Sequence, residues 1–168
     1  MGKIVIIGAG AMGTAFAYPC VDNKHEVKIV GTHLENKFID EINKNRFHSG
    51  LNLEVLKDII FCKYDSSKEI FKIHPDLIVI GVSSKGIEWV ADQLEKISQN
   101  KKLPKLLMLT KGLSINENQY ELLVDKLKRL LLSKGIKNIN LSAVGGPCLA
   151  SGLANRVHSG VVIANNDL

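Results

Sequence analysis

The chain has 168 residues, of which 45% are hydrophobic and 23% charged, a composition typical of a globular domain and unlike that of a disordered segment. Its net charge of +5 suits anionic ligands, but scattered lysines and 5% aromatic residues argue against a nucleic-acid partner. No apolar run reaches the about 20 residues of a membrane span, and the widely spaced Cys20, Cys62 and Cys148 favour a reducing cytoplasm with neither disulfides nor a metal site.

The predicted elements begin with a strand and alternate with helices. Residues 3–7 form a β-branched apolar run that leads through glycines into an alanine-rich helix at 11–23. A second strand is predicted at 27–30 and a second helix at 34–46, where apolar residues recur at helical spacing. Residues 47–57 have weak periodicity and are predicted to form a loop.

The middle of the chain continues the same alternation. A strand is predicted at 59–62 and a short helix at 68–72. The run at 76–82 is almost wholly apolar, which is typical of a parallel strand covered on both faces. An amphipathic helix at 87–97 and a strand at 106–109 follow.

The last third predicts a leucine-rich helix at 120–132, a strand at 139–144, a short helix at 149–156 and a strand at 160–164. Repeated β-α units imply a doubly wound, mostly parallel sheet with helices on both faces. No repeat or composition break suggests a second unit, so residues 1–168 are predicted to form one domain.

A glycine cluster lies between the first strand and the first helix. The segment Gly8-Ala9-Gly10-Ala11-Met12-Gly13 matches the pattern Gly-x-Gly-x-x-Gly. In that position one glycine forms the turn, one lets the backbone approach a pyrophosphate, and one packs the helix on the sheet. The helix amino terminus adds a partial positive charge. We therefore predict a Rossmann-type dinucleotide-binding domain rather than a turn that serves packing alone.

The end of the second strand bears on the choice of dinucleotide. NAD-specific domains often carry Asp or Glu there, to accept hydrogen bonds from the adenosine ribose. This chain has Thr32 and His33 instead, so no carboxylate at that position repels the 2′-phosphate of NADP. We expect NAD or NADP as cofactor with a preference for NADP, while Glu35 is able to restore NAD selectivity.

A lysine follows the predicted strand at 106–109. Lys111 lies in Thr110-Lys111-Gly112, at the carboxyl end of a strand, where doubly wound sheets bind their ligands. A cation there is suited to hold a phosphate or to polarise a carbonyl. Because the chain has 22 lysines and arginines, an ordinary surface lysine is the alternative interpretation.

Several segments together resemble the NAD(P)-dependent glycerol-3-phosphate dehydrogenases. They are residues 4–13, 110–113, Gly145-Gly146-Pro147 with Ala150, and 161–164. The resemblance extends over essentially the whole chain. It implies reversible hydride transfer between NAD(P)H and dihydroxyacetone phosphate, giving sn-glycerol 3-phosphate for glycerophospholipid metabolism.

The resemblance also implies which residues contact each ligand. Beside Gly8, Gly10 and Gly13, the nucleotide contacts would be Ala11, Met12, Thr32, Lys111 and Ala150. The substrate contacts would be Lys111, in a supporting catalytic role, together with Gly146 and Cys148. Two residues depart from the family, since many members carry Ser or Thr at the position of Cys148 and Glu at the position of Gly152.

Family members continue into a helical carboxyl-terminal domain that supplies the general acid/base and the grip on the substrate phosphate. That domain is absent from these 168 residues, so we expect cofactor binding with little turnover. A separate catalytic half or self-association is expected to cover the exposed apolar surface. Two other functions remain open: a non-catalytic nucleotide-sensing module, and a related reductase of a 2-hydroxy acid or a ketopantoate-like substrate.

Overall fold

The computed structural model describes residues 1–98 and 102–165, apart from the side chains of Lys68 and Glu69. Strands and helices alternate along the first half, with a 3-10 turn before the third helix. The elements are β1 (Lys3–Ile7), α1 (Ala11–Asp22), β2 (Glu26–Val30), α2 (Asn36–Asn45), β3 (Phe47–His48), β4 (Leu53–Glu54), β5 (Ile59–Cys62), α3 (Ser67–Phe71) and β6 (Leu77–Ile80).

The second half begins with a 3-10 turn at Ser84–Gly86 and continues the alternation, interrupted by one hairpin. Its elements are α4 (Ile87–Ser98), β7 (Lys105–Met108), β8 (Leu113–Asn116), β9 (Gln119–Leu122), α5 (Leu123–Ser133), β10 (Leu141–Gly145), α6 (Ala150–Ala154) and β11 (Val162–Ala164).

Seven strands form one sheet in the order β11-β10-β7-β6-β1-β2-β5. The first strand lies inside the sheet, since Ile4 pairs in parallel with Val27 on one side and with Leu77 on the other. Only the pair β10 and β11 is antiparallel among the described strands of this sheet. The prediction of a doubly wound, mostly parallel sheet is confirmed, with the change of winding direction between β1 and β6.

Helices cover both faces of the sheet, as predicted. Ile6 and Ile29 are fully buried in a cluster that includes residues of α1 and α2, whereas Ile80 and Met108 are buried in a second cluster with α4 and α5. Burying one such side chain contributes about 1.5–3 kcal/mol. The two clusters hold the carboxyl ends of the central strands in fixed positions, and the candidate site lies at those ends.

Residues 47–57 contain regular secondary structure where a loop is predicted. They contain the short antiparallel pair β3 and β4, in which His48 pairs with Leu53, and His48 itself is 1% exposed. The prediction of a loop was wrong for these strands, because two-residue strands are too short to show an alternating pattern. This segment brings a histidine into the interior beside the site.

A β-hairpin precedes α5. The helix predicted at 120–132 begins at Leu123, and its first three predicted residues lie in β9, which pairs with β8. Glu117 and Asn118 form the turn with φ of 49° and 63°, the left-handed conformation that two-residue hairpin turns require. The leucine spacing begins only after this turn, so the prediction was wrong for residues 120–122.

The helices of the described residues are short. The α1 and α4 helices have 12 residues each, which is about 18 Å of helix at the usual rise per residue. Within residues 1–98 and 102–165, no helix is long and apolar enough to cross a membrane.

Candidate functional site

The glycine-rich turn, residues 8–13, starts immediately after β1. Gly8 has φ of +105°, a conformation that side-chain-bearing residues rarely adopt. Its amide donates to the Val30 carbonyl at 2.8 Å, and a Cβ on Gly8 would lie 2.9 Å from the Gly81 carbonyl oxygen. The turn therefore requires glycine here for its conformation and for its closeness to the loop after β6.

Gly13 is the third residue of α1, at the carboxyl edge of the sheet. A Cβ on Gly13 would lie 2.4 Å from the Gly8 oxygen, and a Cβ on Gly81 would lie 2.9 Å from the Gly13 Cα. The backbones of α1, the turn and the loop after β6 are thus in direct contact. This contact places the amino terminus of α1 at the carboxyl ends of β1 and β6.

Gly10 is in a different environment. It has φ of −66° and is the cap residue of α1, and a Cβ there would meet no protein atom within 4 Å. No described side chain caps the helix, and its first turn carries no acidic residue. The amino terminus of α1 therefore has no side-chain cap, and its backbone at Gly10 is open to close approach, which suits an anion such as a pyrophosphate.

The Ala9 peptide is held on both sides. Its amide donates to the Glu35 carboxylate at 3.2 Å, while its carbonyl accepts from His48 Nε2 at 3.0 Å and from Thr14 Oγ1 at 3.2 Å. Because the Leu51 amide donates to His48 Nδ1 at 3.1 Å, the ring proton resides on Nε2. Three side chains from three parts of the chain thus fix the middle of the turn.

Sequence analysis missed His48 as a residue of this site. A histidine in a segment predicted to be a loop carries no spacing signal toward the glycine-rich turn, and only the β3–β4 pair brings it there. From the sequence alone, Glu35 bears only on the choice between NAD and NADP. Its carboxylate also accepts from the Thr32 amide at 2.7 Å, so it joins the end of β2 to the turn.

Lys111 and Gly146, two of the residues that the resemblance assigns to the substrate, lie close together. Lys111 Nζ donates to the Gly146 carbonyl at 2.6 Å, across the adjacent carboxyl ends of β7 and β10. Thr110 Oγ1 donates to the Val82 carbonyl at 2.6 Å, which fixes this loop beside β6. The Lys111 side chain is exposed, so its charge is available to a ligand at this edge.

Ala150 and Cys148 lie on the side of α1 that faces α6. Ala150 is the first residue of α6. Cys148 lines an apolar cleft of about 360 Å³, together with Met12 and Phe16. Gly152 is helical, and a Cβ there would meet only Val157 at 3.8 Å. Cys148 and Met12 therefore share an apolar cleft, whereas Lys111 does not line it.

The three cysteines differ in environment. All three are free, and burial raises the pKa of the Cys20 thiol to about 11 and raises that of Cys62 as well. Within the described parts of the chain, no group of three or more His, Cys, Asp and Glu side chains is placed to hold a metal ion.

Cys20 is expected to be the least reactive of the thiols toward Ellman's reagent. The thiolate is the reacting species, and at pH 8 only about one in a thousand Cys20 side chains is ionised if its pKa is near 11. Its rate should still be rising at pH 10. Stopped-flow traces of the wild type and of Cys20→Ser test this, and loss of the fastest phase in the variant would contradict it.

The sequence of the chain is similar to one protein family and to several of its members. Residues 3–168 match the family model described as NAD-dependent glycerol-3-phosphate dehydrogenase N-terminus. A NADP(+)-dependent glycerol-3-phosphate dehydrogenase from Archaeoglobus fulgidus is 28% identical over 162 residues, covering 96% of this chain and 46% of the relative. A glycerol-3-phosphate dehydrogenase [NAD(P)+] from Mesoplasma florum is 28% identical over 168 residues, covering 99% and 47%.

The fold is also found among solved structures. A glycerol-3-phosphate dehydrogenase from Coxiella burnetii superposes with a TM-score of 0.77 at 20% identity, covering 99% of this chain and 47% of that protein. At this identity the similarity establishes the fold alone. The chain spans about half the length of these relatives.

Proposed function

Because the chain belongs to the family of NAD-dependent glycerol-3-phosphate dehydrogenase amino-terminal domains, we propose that residues 1–168 form one domain that binds NAD(P)(H) at the glycine-rich turn. The observation that carries this proposal is the open space at Gly10, where a Cβ would meet no protein atom within 4 Å. A pyrophosphate needs this kind of close backbone approach at the amino terminus of a helix.

The residues around the turn fit a dinucleotide. The amides of Ala11 and Met12 belong to the first turn of α1 and would hold the pyrophosphate. Thr32, at the end of β2, would contact the adenosine ribose. Lys111 and Ala150, at the carboxyl edge beyond β6, would bind on the nicotinamide side. Doubly wound sheets bind extended dinucleotides across this change of strand order.

NADP is the proposed preferred cofactor. Both Glu35 oxygens accept from backbone amides, so this carboxylate is engaged by the protein. The exposed residue at the end of β2 is His33, which brings no negative charge toward a 2′-phosphate. The relative from Archaeoglobus fulgidus is named as NADP(+)-dependent, in agreement with this preference.

The proposed reaction is reversible reduction of dihydroxyacetone phosphate to sn-glycerol 3-phosphate. When bound, the cofactor would supply the hydride to the central carbon, and a proton would have to reach the ketone oxygen. Lys111, oriented by its bond to Gly146, would hold the phosphate or polarise the ketone. Cys148 lines the apolar cleft beside Met12 and is not assigned to this contact. None of the described residues is assigned as the general acid/base.

The isolated chain is therefore expected to bind cofactor with little turnover, until a catalytic half is supplied. The exposed Leu113, Ile115 and Tyr120 on the β8–β9 hairpin give apolar surface that such a half, or a second copy, would cover. The free thiols agree with a reducing cytoplasm as the proposed location.

Titration of the purified chain with NADH and NADPH, followed by nicotinamide fluorescence, tests the proposal. Saturable binding is expected, tighter for NADPH. The variant Gly10→Val should remain folded by circular dichroism and lose binding, because its side chain would fill the open space. No binding to the wild type, or undiminished binding to the variant, would refute the assignment of the site.

A further inference from the structure

The strand β11 forms one outer edge of the seven-stranded sheet. It pairs with β10 on one side, and among the described strands none pairs with its other side. Every second residue of an edge strand directs its backbone N–H and C=O away from the sheet, where these groups are open to another strand. The side chains of Val161, Val162 and Ile163 are exposed as well. The edge therefore presents both unpaired backbone groups and apolar side chains.

The opposite outer strand, β5, is protected in a way that β11 is not. Asn43 donates to the Phe61 carbonyl at 3.2 Å, and Arg46 donates to the Ile59 carbonyl at 3.1 Å. Side chains from α2 and its carboxyl end therefore occupy the carbonyls at the free edge of β5. Within the described parts of the chain, no side chain donates to the backbone of residues 161–164. Of the two outer strands, β11 is thus the one that remains open to pairing.

The sequence of this edge also lacks charge. Residues 157–164 include no Lys, Arg, Asp or Glu and no Pro, although the chain carries a net charge of +5. Charged side chains and prolines are the usual means by which an edge strand avoids pairing with another strand. The preceding residue, Arg156, is paired with Asp22 at 2.8 Å. A second copy of this chain, which carries the same net charge, therefore meets no like charge along this edge.

We propose that two copies of this chain pair through β11, antiparallel and about a two-fold axis perpendicular to the sheet. Such an axis keeps each face of the sheet on the same side in both copies, so the same patch meets itself. Val161 and Ile163 line the apolar cleft beside Cys148, and the same two residues of the second copy would extend the wall of that cleft. Val162 points to the other face, where it would also meet apolar side chains. The edge is therefore complementary to itself.

The two-fold axis determines the shape and the size of the assembly. Because the axis reverses the strand direction, the two sheets join into one continuous sheet and the two glycine-rich turns lie at opposite edges of it. The pairing uses the β11 edge of both copies, so the assembly closes as a dimer. A strand of three residues is short for the about 1,200–2,000 Å² that stable interfaces bury. We therefore expect a weak dimer, with a dissociation constant of about 10–100 µM.

Sedimentation equilibrium of the purified chain, from about 1 to 500 µM, covers the range expected for such an interface. A monomer is expected at the lowest concentration and a dimer at the highest. Ile163→Lys and Val162→Lys each bring two like charges together in the pair, and each should weaken association by about tenfold or more. Because these two side chains lie on opposite faces of the sheet, a folding defect in one variant, seen by circular dichroism, leaves the other to be measured.

Ile115→Lys is the matched control. Ile163 is 58% exposed on β11 and Ile115 is 70% exposed on the β8–β9 hairpin, so the same change is made at a second exposed strand. This variant should associate as the wild type does. Hydrogen–deuterium exchange locates the contact independently: the amides of residues 161–164 should exchange more slowly at high than at low protein concentration, whereas those of residues 113–122 should exchange at the same rate at both.

The outcomes separate this inference from the proposed function. A chain that stays monomeric over the whole range would overturn the inference and would leave the β11 edge to a different polypeptide. A dimer that persists in both β11 variants, or that is lost in Ile115→Lys, would overturn it as well and would point to another surface. A monomer that binds NADPH would leave the proposed function standing, and a dimer that binds neither dinucleotide would overturn the proposed function alone.

Discussion

Replacing Gly13 with alanine is expected to destabilise the chain by about 3 kcal/mol or more, at the upper end of the usual cost of overpacking. The added Cβ would lie 2.4 Å from the Gly8 carbonyl oxygen. Both groups in this clash belong to the backbone, so no side-chain rotation relieves it. To make room, α1 must move away from the sheet edge, which would also displace the amides assigned to the pyrophosphate.

Urea unfolding followed by circular dichroism measures this effect, with Gly10→Ala as the matched control. Gly10 lies three residues earlier in the same turn, and a Cβ there meets no protein atom, so its unfolding midpoint should stay close to that of the wild type. Gly81→Ala should behave like Gly13→Ala, because its Cβ would lie 2.9 Å from the Gly13 Cα. Equal midpoints for Gly13→Ala and Gly10→Ala would show that the close backbone contact does not exist.

Replacing His48 with alanine is expected to lower the free energy of unfolding by about 2–4 kcal/mol. The side chain is 1% exposed and packs edge-on against Phe38, with ring centroids 4.9 Å apart. Its loss opens a cavity and removes one of the two acceptors of the Leu51 amide, which also donates to the His48 carbonyl at 3.1 Å. The Ala9 carbonyl loses one of two donors, so the glycine-rich turn becomes more mobile and the affinity for NADPH should fall.

His48→Phe separates packing from hydrogen bonding, because phenylalanine keeps most of the ring volume and makes neither hydrogen bond. We expect it to retain more stability than His48→Ala but to bind NADPH as weakly. Urea unfolding and NADPH titration of both variants give the two readouts. Wild-type affinity in a folded His48→Phe would show that the imidazole does not position the turn.

The parts of the fold that local patterns encode could be predicted from the sequence. The apolar run at 76–82 and the glycines at 8–13 are recognisable from consecutive residues alone, and the doubly wound, mostly parallel sheet followed from the repeated β-α units. The direction of β11 could not be derived in this way. A three-residue strand has the same pattern in either direction, and here the turn after α6 makes it antiparallel to β10.

The side chains around the glycine-rich turn could not be predicted, because they come from distant parts of the chain. Glu35 reaches Ala9 from the start of α2, and His48 reaches it from the β3–β4 pair. Neither residue lies at a distance in sequence from the turn that a known motif defines. The ring contacts among His33, Tyr64 and Trp89 are a similar case, since these residues become neighbours only through the order of the strands that precede them, β2, β5 and β6.

The inside position of β1 bears on how the chain folds as it is synthesised. Ile4 pairs with Val27 and with Leu77. The first strand to be synthesised, β1, therefore gains its second neighbouring strand only after β6 has been translated. Gly13, in turn, needs Gly81 as its packing partner. A nascent chain that ends before β6 therefore lacks the contact between Gly13 and Gly81 that packs the glycine-rich turn. Long-range pairing of the kind between β1 and β6 is also slow. During that interval the edge of β1 that later pairs with β6 is unpaired and open to aggregation.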